Sequence, residues 1–222
     1  MAAMKTWTGQ RINRVAATVR SEVWKWHGPE PKGKRRRDPF RTLVSCIISL
    51  RTKDEVTATS SERLFKLAAT PGSMVRLPAD RIARTIFPAG FYNVKARQIR
   101  GICRTLLTKH GGRVPPDMDA LLAMTGVGRK TANLVLGHAF GIPSICVDTH
   151  VHRISNRLGW VKTKNPEETE FALRDLLPRR LWVPINWRLV EYGKRICQPV
   201  SPWCSKCRLK PMCPRRGVGR SR

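Results

Sequence analysis

Apolar residues recur at helical spacing along most of this chain, and the strict alternation that would mark half-buried strands is nearly absent. Within residues 38–50, Phe40, Leu43, Val44, Ile47 and Ile48 form one amphipathic stripe. Comparable stripes run from Val56 to Leu67, from Val94 to Leu107 and from Leu181 to Ile196. Asn165-Pro166-Glu167-Glu168 reads as a helix start, with Asn as cap, Pro at the first helical position and Glu at the third. Pro71-Gly72, Pro88-Ala89-Gly90, Gly111-Gly112, Pro115-Pro116 and Gly141-Ile142-Pro143 break the helical stretches. The pattern predicts an all-α protein without internal repeats. Its 222 residues suffice for one large domain or two small ones around a real core.

The charge balance narrows the partners. Forty-three Lys and Arg against 15 Asp and Glu leave +28, and self-repulsion of that size destabilises a compact fold unless a polyanion is the usual partner. A solvated basic surface or a patch for anionic membranes is the plainer reading, but nucleic acid fits the excess better. Basic residues are spread along the chain, with runs at 32–37 and from Lys206 to Arg222; the first reads as a flexible linker or loop. No stretch approaches the roughly 18–20 consecutive apolar residues of a membrane span, and Met1 to Gly9 holds no apolar signal core. Of seven cysteines, four crowd into the final 26 residues, while Cys46, Cys103 and Cys146 stand alone in apolar contexts. That distribution does not suit a secreted disulfide framework. It points to a reducing, cytoplasmic setting in which the three isolated cysteines are small core residues.

The run Met124-Thr125-Gly126-Val127-Gly128-Arg129-Lys130 carries the clearest chemistry. Two glycines one residue apart, flanked by the helical stretches Met118–Met124 and Thr131–Phe140, read as a tight turn between helices, either a helix–hairpin–helix or an ordinary helix–turn–helix connection. Backbone N–H groups at such a turn and helix start hold phosphate oxygens. Lys130 sits where the turn becomes a helix. An amine there, beside Arg129 and the positive end of a helix, is poised either to contact a phosphate or to act as a nucleophile on a sugar carbon.

Two further constellations stand out. Asp148 precedes the helical stretch Thr149-His150-Val151-His152-Arg153, where it reads as an N-cap. A carboxylate held that way could also activate an attacking group or stabilise positive charge developing on a sugar ring. Cys197, Cys204, Cys207 and Cys213 follow the pattern C-x6-C-x2-C-x5-C, four thiolates within 17 residues. Zinc held by four cysteines is one reading, though it is usually built from two C-x2-C pairs; an iron–sulfur cluster wrapped by a single loop is the other. Lys206, Arg208 and Lys210 interleave these cysteines and would present cations to a DNA backbone.

Taken with Ser49-Leu50-Arg51-Thr52-Lys53-Asp54, Gly90-Phe91-Tyr92-Asn93-Val94-Lys95-Ala96 and Gly126-Val127-Gly128-Arg129-Lys130-Thr131-Ala132-Asn133, these pieces resemble the endonuclease III family of DNA glycosylases, within the helix–hairpin–helix superfamily. The resemblance covers about Arg41 to Cys213. It implies a bilobal all-α fold, with a six-helix barrel domain at 38–142 and a discontinuous domain of 1–37 and 143–222 holding a 4Fe-4S iron–sulfur cluster on Cys197, Cys204, Cys207 and Cys213. It further implies that Lys130 and Asp148 are catalytic, and that a damaged pyrimidine is flipped from duplex DNA into a pocket. The base would be displaced through a lysine Schiff base and the strand nicked 3′ to the abasic site, by a protein acting as a monomer. DNA contacts would come from Gly126, Val127, Gly128, Arg129, Arg51, Phe91, His150, Lys206 and Arg208. Arg51 stands where many members have a gap-filling glutamine, and Phe91 where an aliphatic wedge is common. A thymine-mismatch glycosylase and a non-catalytic, metal-stabilised DNA-binding protein are the alternative readings.

Overall fold

The helical periodicity is realised throughout the computed structural model, which describes residues 7–29 and 37–222. Of the basic run at 32–37, only Arg37 lies among the described residues. These residues contain no strand, and no helix among them is long and apolar enough to cross a membrane. They divide into two compact units, one within Met1–Lys34 and Pro143–Arg222, the other within Arg35–Ile142.

The Arg35–Ile142 unit holds α2 (Pro39–Ser49), α3 (Asp54–Leu67), α4 (Pro71–Arg76), α5 (Ala79–Ile86), α6 (Tyr92–Lys109), α7 (Met118–Leu122) and α8 (Arg129–Val135). Helix α2 starts because Asp38 Oδ1 accepts from Arg41 N at 2.7 Å and Pro39 presets the first turn. Its apolar stripe is buried as the spacing predicts, with Leu43, Val44, Ile47 and Ile48 at 0% exposure. Each such side chain contributes about 1.5–3 kcal/mol on burial. α2 packs on α3, α6 and α8, and α4 and α5 pack on α6.

The other unit joins α1 (Gly9–His27) to α9 (Thr149–Leu158), α10 (Pro166–Leu176) and α11 (Trp182–Arg195). Val15, Val19 and Val23 of α1 enter one core with Val151 and Ile154 of α9 and Leu189 and Tyr192 of α11. Asn165 caps α10 as its sequence predicts, Oδ1 accepting from Glu168 N at 2.9 Å. The stretch expected as one helix over Thr131–Phe140 differs: α8 stops at Val135 and continues as a π-helical turn over Leu136–Phe140. Gly141, at φ +70°, ends that turn, its N–H donating to Leu136 O.

Candidate active site

The hairpin is built from a buried turn and an open helix start. Asp117 caps α7, accepting from Ala120 N at 2.8 Å. Met124 and Val127 plug into the core, and Val127 N donates to Met124 O at 3.0 Å. Val127 therefore anchors the turn with both its side chain and its amide. Gly126 takes φ +83°, and a Cβ there would stand 2.5 Å from the Gln98 side chain, so the turn tolerates only glycine. Gly128 is the N-cap of α8 and offers no side chain to its first turn. Such an N-terminus presents backbone donors and the positive end of the helix dipole.

Lys130 is the second residue of α8 and is exposed. Its charge reaches Cys46 on α2, where it opposes the burial that pushes that thiol up to about 11. Cys46 belongs to the polar stripe Thr42, Ser45, Cys46 and Ser49 of α2. This stripe lines a cavity of about 450 Å³ together with Thr57 and Leu134, the latter one helical turn beyond Lys130.

Asp148 is half-buried at the start of α9. Its Oδ1 accepts from His150 N and Val151 N, both at 2.9 Å. The cap thus uses one carboxylate oxygen and fixes the group rigidly. His150 Nδ1 lies 3.0 Å from Arg153 Nη2; because a guanidinium only donates, Nδ1 accepts and the ring proton sits on Nε2. Burial holds His150 below its usual range, so at neutral pH it acts as a neutral donor rather than a cation. Farther along α9, Arg153 donates to Cys197 O at 2.9 and 3.1 Å. Arg157 donates to Gln198 O at 2.6 Å and to Pro199 O at 2.7 Å. The helix capped by Asp148 is therefore tied to the loop that carries the first cysteine of the cluster.

All four clustered cysteines line one cavity, beside Arg157 and Trp203. Tyr192 Oη lies 3.2 Å from Cys207 Sγ, Arg215 N donates to Cys213 Sγ at 3.4 Å and Arg157 Nη1 to Cys197 Sγ at 3.5 Å. Hydrogen-bond donors aimed at sulfur suit thiolate ligands. The thiols surround a space rather than converge on a point: among the described residues no three Cys, His, Asp or Glu side chains are placed to hold a single ion. Lys206 is exposed with Nζ 4.4 Å from the centre of the Trp203 ring. Arg208 is also exposed and pairs with Glu22 at 3.1 Å.

Arg51 and Phe91, far apart in sequence, meet. The guanidinium carbon lies 5.6 Å from the Phe91 ring centre, and both side chains are exposed, Phe91 at 61%. Both residues are non-glycines in the left-handed region, at φ +51° and +58°. Paired strain of this kind marks a site that the surrounding structure must hold in place.

Residues 44–179 match the HhH-GPD superfamily of base excision DNA repair proteins. Endonuclease III of Thermotoga maritima is 50% identical over 86% of this chain and 92% of its own length. The chain belongs to the endonuclease III family. It also matches endonuclease III homolog 1, chloroplastic, of Arabidopsis thaliana at 41% identity over 83% of this chain, but spans only 50% of that longer protein. Among solved structures, a trapped endonuclease III–DNA covalent intermediate superposes with a TM-score of 0.81 at 34% identity, covering 95% of this chain and 97% of that one. Members of the family are DNA glycosylases and abasic-site lyases, so the residues above are to be judged as parts of such an enzyme.

Judged so, sequence reasoning overlooked two groups. Arg153 and Arg157 follow His150 at spacings of three and four, a cationic stripe on α9 whose regularity was visible. Lys95 is 3% exposed, and its Nζ donates to Ile48 O, Leu50 O and Thr52 Oγ1 at 2.7, 2.6 and 2.8 Å.

Proposed function

We propose that this endonuclease III family member removes oxidised pyrimidines from duplex DNA and nicks the strand 3′ to the resulting abasic site. The observation that carries the reading is Lys130, an exposed amine on the first turn of α8, directly behind a glycine-capped hairpin. Gly128 and the start of α8 grip a phosphate through backbone donors, which fixes the sugar that Lys130 reaches. The amine attacks C1′ as the C1′–N bond breaks and the base leaves with a proton; the C1′–O4′ bond then opens, O4′ taking up the proton released by the amine, to give a Schiff base. Loss of the C2′ proton then expels the 3′ phosphate by cleavage of the C3′–O bond, and water releases the lysine. Asp148, held rigidly by its cap, stabilises positive charge developing on the sugar. Arg51 and Phe91 fill the space left by the flipped base, and the polar stripe of α2 lines the cavity open to a hydroxylated pyrimidine ring.

The Arg35–Ile142 unit is read as the hairpin lobe and the other unit as the cluster lobe. The fit of the four cysteines around one cavity supports a 4Fe-4S group held by Cys197, Cys204, Cys207 and Cys213. Bound there, it would cross-link the C-terminal loop without entering the chemical step. An absorption band near 400 nm with about four irons per chain would support it; zinc at one equivalent would overturn it.

Borohydride trapping on an oligonucleotide containing thymine glycol or an abasic site tests the function. The expected result is a covalent adduct that disappears in Lys130→Gln. An adduct of undiminished yield in that variant would sink the assignment.

A further inference from the structure

We propose that Lys95 is a positioning residue that holds Arg51 and Phe91 together for filling the gap left by a flipped base. The inference rests on the gap-filling reading of that pair. Lys95 lies one turn into α6, and its backbone N–H donates to Phe91 O at 3.0 Å, the first bond of that helix. Its side chain runs back to the loop that carries Arg51. There the ammonium meets three acceptors, Ile48 O, Leu50 O and Thr52 Oγ1, which matches its three donors. Two of these are carbonyls at the end of α2, where a helix leaves acceptors without intrahelical partners and favours a cation.

Thr52 joins the second loop to the first. Its hydroxyl donates to Leu50 O at 3.3 Å and accepts from Lys95 Nζ at 2.8 Å and Gly90 N at 3.1 Å, which uses its full capacity. Gly90 lets the two backbones touch, because a Cβ there would stand 2.5 Å from Arg51 O. One buried side chain therefore bonds on either side of Arg51, while its backbone holds the carbonyl of Phe91. Left-handed conformations at two non-glycine residues persist only under such restraint. Lys95 itself is too deeply buried to touch DNA.

The test uses the full chain and a duplex with thymine glycol beside 2-aminopurine, whose fluorescence rises when its neighbour leaves the stack. Lys130→Gln is the background, so that no base is released. Phe91→Ala and Lys95→Met are each expected to reduce the signal at least fivefold. Restored to Lys130, Lys95→Met should still trap on a single-stranded abasic oligonucleotide within twofold of wild type, since no opposite base or gap exists there. A wild-type signal in Lys95→Met alongside a lost signal in Phe91→Ala would overturn the proposal and leave gap filling intact. Joint loss of signal and trapping would overturn it too, as the mark of general unfolding. Undiminished signals in both Phe91→Ala and Arg51→Ala would remove the gap-filling reading and the proposal with it. If Lys95→Met does not fold, Thr52→Val decides: it keeps both lysine–carbonyl bonds and breaks the link to Gly90, and an undiminished signal would overturn the proposal.

Discussion

Asp148 caps α9, and its proposed role on the sugar is separable from that cap. Its Oδ1 accepts two backbone bonds, and asparagine caps helices about as well as aspartate. Asp148→Asn should therefore unfold within about 0.5 kcal/mol of wild type, while base release in single turnover slows by about 100-fold or more. Turnover near wild type would reduce Asp148 to its cap. Lys95 makes the opposite point, because its burial pushes its pKa down from the ordinary 10.5 to about 8. Below pH 8 the folded and unfolded chains both carry its proton, so the full cost of burying the charge is present. Between pH 8 and 10.5 the folded chain has released the proton and the unfolded chain has not, so rising pH favours the fold. Wild type should gain on the order of 3 kcal/mol over Lys95→Met in that window, read by urea unfolding at pH 7 and pH 10. A difference independent of pH would refute this. The sequence did contain the signal, since Lys95 is in helical phase with the buried Ile99, Ile102 and Leu106. A charge on an apolar stripe must find partners, but the carbonyls that satisfy it lie some 45 residues away and no local pattern names them.

At the scale of elements, what could be read from the sequence depended on how local the cause was. The α2 stripe, the Asn165 cap and the cysteine spacing are short-range patterns, and each appears in the structure where the residues placed it. The hairpin turn was legible for the same reason. The π-helical turn after α8 was not, because period alone cannot distinguish one wider turn from its neighbours. Nor was the meeting of Arg51 with Phe91, which depends on how α2 and α6 pack. The hairpin yields a paired prediction. Gly126→Ala would force a Cβ into Gln98 at a positive φ, whereas Gly128→Ala meets nothing within 4 Å at φ −99°. The first should lower stability by roughly 1–3 kcal/mol and shift α8. The second should leave the melting temperature nearly unchanged yet weaken binding to an abasic-site analogue duplex by about tenfold, because the added methyl stands where a phosphate must approach the amides. Equal affinity of Gly128→Ala and wild type would move the phosphate site away from this turn.

The net charge of +28 only becomes meaningful for the whole molecule once the structure separates committed cations from available ones. Arg208 is bound to Glu22, which also accepts from Lys25. Arg153 and Arg157 are bound to the carbonyls of residues 197–199. Lys95 is enclosed by its three acceptors. Arg153, Arg157 and Lys95 are thereby committed to acceptors within the protein, and Arg208, though exposed, is paired, so net charge overstates the number of phosphates the protein neutralises. Lys206, exposed over Trp203, is of the other kind. Counterion release makes the distinction measurable, because the logarithm of affinity for duplex DNA falls with the logarithm of salt by about 0.9 per phosphate neutralised. With about six phosphates engaged, raising salt from 50 to 200 mM should weaken binding on the order of a thousandfold. Lys206→Ala should lower the slope by about one. Arg208→Ala should leave it nearly unchanged, because removing a cation already paired inside the protein releases no additional counterion from the DNA. Equal slope changes in the two variants would mean that the Glu22 pair opens when DNA binds, and that Arg208 belongs with the available charges.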